Sequence, residues 1–197
     1  MIYAIIPARG GSRRIPRKNI IDFLGKPLIA YSIETAQRSA IFEQIYVSTE
    51  NYDIAEIAES YGAEVAWRDV QMCQDSVGTY RVVRADAMRL NLPPDSVVCC
   101  IYATAPLMST SDLKYGLEAL ERTELAKHAI AIGRDQLREA AQFYYSRFKA
   151  LTSSIPYWDI DTVPVPIDAQ RICDINVMED LERAKAMYLK LERRTET

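Results

Sequence analysis

Short apolar runs alternate along this chain with longer stretches of helical period. "IYAIIPA" (2–8), "QIYVST" (44–49) and "SVVCCIYA" (96–103) are compact and rich in β-branched residues, as buried strands are. The last of these is the strongest candidate for a central strand. "EVAW" (64–67) and "AIAIG" (129–133) are shorter runs of the same kind. "QFYYSRF" (142–148) and "VPVPI" (163–167) are weaker, and the prolines flanking Val165 suit a sheet edge, where a missing ladder donor costs least.

Between these runs lie amphipathic stretches: 27–39, 51–63, 78–90, 109–124 and 178–194. Leu28, Ser32, Thr35 and Ala36 share one face of the first, and Ile54, Ile57, Ala58 and Tyr61 one face of the second. Leu181, Ala184, Tyr188 and Leu191 form the stripe of the last. Their ends are punctuated as helices require. Pro27 suits a first turn, Gly62 closes the second helix, "LPPD" breaks the third and a Ser/Thr cluster starts the fourth. This alternation predicts an α/β domain: a three-layer, Rossmann-like, open and mostly parallel sheet with helices on both faces. Ligands of such sheets bind beyond the carboxyl ends of the strands. The 197 residues suit a single domain, 1–197, and no repeat or low-complexity linker divides them.

Charge sharpens the picture. The chain carries a net charge of −3 and a pI near 5.3, which excludes a general nucleic-acid binder. Yet Arg9, Arg13, Arg14, Arg17 and Lys18 crowd one loop just after the first strand. A local cluster implies a small, multiply charged anion as its partner. Gly10 and Gly11 permit positive φ and close backbone approach, so consecutive N–H groups could form an anion nest. Arg9, Arg13 and Lys18 could supply full charges to phosphates. The ordinary alternative is a surface loop of solvated cations, but the position after strand one favours phosphate. The loop lacks the Walker A pattern, because Asn19 follows Lys18, and it is not GxGxxG.

Cysteine and histidine exclude other chemistries. Cys73, Cys99, Cys100 and Cys173 form no CxxC pair, and His128 is the only histidine, so a zinc site is excluded on spacing. Cys99 and Cys100 read as buried free thiols, which implies a reducing compartment. No signal peptide or membrane-spanning run is visible, which points to the cytoplasm. His128 sits in a strand-like apolar context and suits a structural role better than a catalytic one.

The segment "IIPARGGSRRIPRKNI" resembles the N-terminal signature of the acylneuraminate cytidylyltransferases. "GKPLIAYSIETA", "IYVSTEN", "IAEIAESYGAEV" and "CCIYATAPL" continue the resemblance in order over nearly the whole chain. "IYATAPL" and "QFYY" are most similar to its pseudaminic-acid branch. The resemblance implies a fold of the nucleotide-diphospho-sugar transferase type. It implies an Mg²⁺-dependent enzyme that joins CTP to a nine-carbon keto sugar acid, giving the CMP-sugar and pyrophosphate. The anomeric hydroxyl attacks the α-phosphate directly, so alignment and charge neutralisation carry the reaction and no enzyme nucleophile is needed.

By the same resemblance, Ala8, Arg9, Gly10, Gly11 and Ser12 wrap the nucleotide, with Arg13 beside them. Arg9 and Lys18 hold the triphosphate, and Asn19 reaches the reacting centre. Arg68, Ser76 and Thr79 match positions that approach the nucleotide, although Arg68 could be a solvated strand end and Thr79 a helix cap. Tyr102 and Ala103 lie where the sugar is held, and Gln142 matches a sugar-side position, or is a polar residue before an edge strand.

The family's metal pair, Asp-x-Asp, corresponds here to Asp174 and Asn176. A neutral amide oxygen is a weaker ligand for Mg²⁺ than a carboxylate. Asn176 is also a good N-cap, with Glu179 at capping-box spacing, so cap and ligand both remain open. Two further departures concern the sugar side. The segment around 133–150, with "RDQLRE" (134–139), is shorter than its family counterpart, which helps form the sugar pocket and a dimer contact. Glu139 and Ala141 replace the family's Asp and Gly. A homodimer is therefore left open. So are a cytidylyltransferase for a different keto acid and a CTP-binding relative without turnover.

Overall fold

The computed structural model describes residues 1–134, 138–153 and 159–195. In chain order the strands are β1 (Ile2–Pro7), β2 (Asp22–Phe23), β3 (Lys26–Pro27), β4 (Gln44–Thr49), β5 (Glu64–Trp67), β6 (Val97–Ile101), β7 (His128–Gly133), β8 (Glu139–Arg147) and β9 (Thr162–Ile167). The helices are α1 (Leu28–Ser39), α2 (Tyr52–Ser60), α3 (Thr79–Arg89), α4 (Thr110–Arg122), α5 (Phe148–Thr152) and α6 (Met178–Thr195). All five anticipated helices form. The hairpin of β2 and β3 and the short α5 add to them.

The main sheet has the order β5-β4-β1-β6-β8-β7-β9. β8 alone runs against both its neighbours, β6 and β7, and the other pairs are parallel. The mostly parallel three-layer expectation therefore holds. β9 is the edge strand its prolines suggested. The weaker candidate "QFYYSRF" belongs to an interior strand instead, with Phe143, Tyr144 and Tyr145 fully buried. Pairing on both sides and burial on both faces override its modest pattern.

Pleating divides the core into two layers. Ala4 and Ile6 of β1 face α1, α2 and α4, packing with Ile33, Ala58 and Leu117. Tyr3 and Ile5 face the opposite side, with Val83 and Ala87 of α3 and Leu151 of α5. Cys99 and Cys100 divide between the same two layers, and all four cysteines are free.

A third, smaller core positions the site. Ile15, from the loop after β1, packs with Phe23, Leu28 and Tyr31 and with Ile175, Leu181 and Ala184. Phe23, Tyr31 and Tyr188 meet edge to face, with ring centroids 5.0 to 5.8 Å apart. The apolar stripe of α6 thus docks against the first loop and brings the segment before α6 alongside its cations. Of the segment "RDQLRE" (134–139), residues 135–137 lie outside the described residues. Among the described residues no helix is long and apolar enough to cross a membrane.

Candidate active site

The carboxyl ends of the adjacent strands β1 and β6 open onto a cleft of ≈ 570 Å³. The loop after β1 contributes Arg9, Ser12, Arg13 and Arg14, and a 3-10 turn at Lys18–Ile20 contributes Lys18 and Asn19. Arg68 follows β5, Asp75 to Thr79 lead into α3, and Tyr102 to Thr104 follow β6. Five cations therefore line the cleft against one carboxylate, Asp75. Such concentration keeps its cost low only when an anion is at hand.

The loop is shaped by close approach. A Cβ at Gly10 would lie 2.8 Å from Asn51 Nδ2, so only glycine lets the loop pass the start of α2. Gly11 faces open space. Neither glycine takes a positive φ; the left-handed residue is Arg17, at φ 56°, whose turn redirects the chain into Lys18. Some of the loop's N–H groups are already used within the protein. The Gly10 N–H donates to Glu50 Oε1 at 2.7 Å and the Ser12 N–H to the Gly10 carbonyl at 3.0 Å. Ala8 is fully buried and donates to the Ser48 carbonyl at 2.8 Å. The loop's full charges reside in its side chains.

Those side chains are already engaged. Arg9 Nη2 meets Asp75 Oδ1 at 2.5 Å, and its Nη1 donates to the Cys73 carbonyl at 3.0 Å. Arg13 Nε meets the other Asp75 oxygen at 3.2 Å. The hydrogen bond and charge of Arg9 hold the Asp75 carboxyl below its usual range. Asn19 Nδ2 donates to the Arg9 carbonyl at 2.9 Å and fixes the loop from inside. Arg68 is nearly buried; it donates to the Ser48 carbonyl, while its buried Nε has no partner among the described residues. At Glu50, burial works to raise the pKa, but hydrogen bonds from the Cys73 thiol and the Gly10 N–H bring it below the ordinary value. Burial, with Glu50 beside it, pushes the Cys73 thiol up to about 11.

Lys18 links the cleft to the metal candidates. Its Nζ donates to the Ile175 carbonyl at 2.7 Å. Burial pulls its pKa down, Asp174 opposes this, and Arg14 and Arg9 add to the lowering. Arg14 Nη2 donates to Asn176 Oδ1 at 2.7 Å, and Asn176 Nδ2 to Asp174 Oδ2 at 2.6 Å. Asn176 is not a side-chain cap. The start of α6 is satisfied from within by Asp180, which accepts the N–H groups of Asn176 at 2.9 Å and Val177 at 3.0 Å. The Asn176 amide instead faces Asp174 and the loop.

This donor set suits a hard divalent cation only in part. Asp174 supplies one carboxylate, but Asn176 turns its Nδ2 to Asp174 and its Oδ1 to Arg14, and no cluster of three acidic, Cys or His ligands exists among the described residues. A single carboxylate suits an ion that takes most of its shell from phosphate oxygens and water, as Mg²⁺ does, and Asn176 would join it by turning its amide.

The far end of the cleft is lined by uncharged side chains. Thr79 is the first residue of α3, not its cap, and its Oγ1 lies 3.3 Å from Tyr102 Oη. Tyr102 donates to Glu139 Oε1 at 2.6 Å, and Ala103 is buried in the wall. Of the anticipated residues, Ala8, Gly10, Gly11, Ser76, Gln142, Asp174 and Asn176 do not line the cleft. Ser76 is exposed beside the cleft wall but does not line it. Gln142 is buried on β8, where its Nε2 donates to the Arg171 carbonyl. His128 is fully buried 2.8 Å from Ser146 Oγ and does not line the cleft. Sequence reasoning missed Asp75 and Glu50 and singled out Glu139 only as a departure from the family; isolated acids carry no local signal, and only the fold brings them to this site.

Comparison with known proteins agrees with this geometry. The family model described as cytidylyltransferase matches residues 3–188. The pseudaminic acid cytidylyltransferase of Campylobacter jejuni subsp. jejuni serotype O:23/36 (strain 81-176) is 34% identical, covering 93% of this chain and 94% of its own. That alignment runs over 220 positions, more than the 197 residues of this chain, so it opens gaps in this chain. The N-acylneuraminate cytidylyltransferase of Oncorhynchus mykiss is 39% identical over 61% of this chain and 28% of its own. A solved CMP:2-keto-3-deoxy-manno-octonic acid synthetase complexed with CTP superposes with a TM-score of 0.75 at 16% identity, covering 96% of this chain and 98% of the other.

Proposed function

This chain belongs to the cytidylyltransferase family, and we propose that it joins CTP to a nonulosonic acid of the pseudaminic type, giving the CMP-sugar and pyrophosphate. The observation that carries this reading is the cleft beyond β1 and β6, lined by Arg9, Arg13, Arg14, Lys18 and Arg68. Five cations suit a triphosphate far better than a monoanion.

In this reading Arg9, Arg13 and Lys18 hold the triphosphate and offset the charge that spreads onto the leaving pyrophosphate. Arg9 to Ser12, Arg68 and Thr79 surround the nucleotide, with Ala8 buried beneath the loop and Ser76 beside the wall. Asn19 pins the Arg9 carbonyl, which keeps the loop in place before the ligand arrives. Tyr102 and Ala103 form the sugar side, with Gln142 behind them, its carbonyl accepting the Tyr102 N–H. Asp174 and Asn176 hold a divalent cation, Mg²⁺ in this proposal, which when bound polarises phosphate oxygens and offsets their charge. The anomeric hydroxyl is the nucleophile, so the chain needs to align it in line with the leaving group and supplies no covalent intermediate. CTP is a cytoplasmic metabolite, which makes the cytoplasm the proposed place of work. A homodimer that supplements the shortened sugar side belongs to the same reading, and sedimentation velocity tests it.

The direct experiment incubates the protein with CTP, Mg²⁺ and a panel of eight- and nine-carbon keto acids and follows pyrophosphate. Release with a nonulosonic acid, and not with the eight-carbon acid, is the expected result. CTP binding without turnover of any acid refutes the proposal.

A further inference from the structure

The floor of the cleft has a polarity opposite to its cationic end. Tyr102 donates its hydroxyl proton to Glu139 Oε1 at 2.6 Å. A phenol carries one proton and a carboxylate only accepts, so this contact fixes where the proton points. Thr79 Oγ1 lies 3.3 Å from the same hydroxyl. With the Tyr102 proton committed, Thr79 is the donor in that pair. Both oxygens then offer the cleft lone pairs only. The backbone of Tyr102 is anchored as well: its N–H donates to the Gln142 carbonyl at 2.8 Å, and its carbonyl accepts from Ser32 Oγ at 2.9 Å. Burial raises the Tyr102 pKa far above its ordinary value, so the hydroxyl stays protonated.

We propose that Glu139 is a positioning residue that makes Tyr102 an obligate hydrogen-bond acceptor, and that Tyr102 receives the attacking hydroxyl of the sugar acid. The inference rests on the reaction proposed above and assigns a part to a residue on β8. A hydroxyl that donates to Tyr102 keeps its lone pairs free for phosphorus. One that accepted a hydrogen bond there would have a lone pair tied up. Phosphate oxygens, being acceptors, find no donor in the Tyr102 and Thr79 hydroxyls and are drawn to the cationic end. The cleft thereby sorts its two substrates by donor and acceptor character.

The test uses the full-length protein with Tyr102→Phe, Glu139→Ala, Glu139→Asp and the double variant Tyr102→Phe/Glu139→Ala. Tyr102→Phe and Glu139→Ala are each expected to lower kcat about 10- to 100-fold, with the KM for CTP within about twofold of the parent. The double variant should be no slower than the slower single one, because Glu139 acts through Tyr102. Glu139→Asp should restore part of the rate. Independently of turnover, a proton NMR spectrum of the parent should show a far-downfield, exchange-resistant hydroxyl resonance that both single variants lack. Additive losses, an unchanged rate in Glu139→Ala, an equal rise in the CTP KM or a missing resonance each overturn the inference. A parent that turns over no acid overturns the proposed reaction and the hydroxyl contact with it, while the resonance still decides the orientation of Tyr102.

Discussion

The cationic end of the cleft comes almost entirely from residues 9–18 on one loop, whereas the acceptor end is gathered from Thr79 on α3, Tyr102 after β6 and Glu139 on β8. The first end follows a parallel strand and is written as one contiguous motif. The second depends on β8, the strand that runs against its neighbours, and no short segment contains it. Charge can be concentrated locally because a loop needs only side chains to present it. Fixing a hydroxyl's direction needs partners placed around it by the fold.

Lys18→Met attacks the contiguous end most sharply. It should lower kcat/KM with CTP by about 10²- to 10³-fold while the thermal midpoint moves little, because Lys18 is half-buried and bonds one carbonyl. An unchanged kcat/KM would refute its phosphate role. The sheet behind the assembled end should instead respond to acid. His128 on β7 is held neutral by burial, its pKa lowered to about 4 from 6.5. The unfolded chain therefore binds the proton more readily, so stability is fully present above pH 6.5 and is lost as pH falls toward 4, by at most ~3 kcal/mol. Urea midpoints across that range should fall less steeply in His128→Gln; parallel curves would remove His128 from the account.

Asn176→Asp probes the seam between the ends. It should lower the Mg²⁺ concentration for half-maximal rate roughly tenfold, since a second carboxylate joins Asp174. Without Mg²⁺ the same variant should be less stable than the parent, because two like charges then adjoin. An unmoved Mg²⁺ requirement would exclude position 176 as a ligand. The smallest effect concerns the irregularity in β8. Ala141 takes φ 49° where the register of β7 and β8 shifts, a conformation that costs a side chain about 1 kcal/mol. Ala141→Gly should therefore raise stability by about that amount and leave CTP binding unchanged, as read by denaturation and titration calorimetry.

The sequence was most legible where residues act together with their neighbours. The strands, the helices and the loop 8–20 follow from period, punctuation and charge density. It was least legible where partners arrive from elsewhere. Asn176 and Glu179 imitate a capping box, but Val177 and Asp180 share the same spacing and the chain uses Asp180. "QFYYSRF" looked marginal because its pattern is modest, although its aromatic residues fill both core layers. Asp75 is an unremarkable loop acid until the fold sets it against Arg9 and Arg13.

Asp75 also changes what it means for this cleft to bind. Two arginines that already hold a carboxylate do not wait for a ligand; they exchange one anion for another. The net gain is a difference between the incoming ion and the protein's own, so a monovalent ion gains almost nothing by displacing Asp75. A polyvalent ion gains at several cations while giving up one contact. Self-competition of this kind filters ligands by valence, leaving the cleft indifferent to chloride and responsive to a triphosphate.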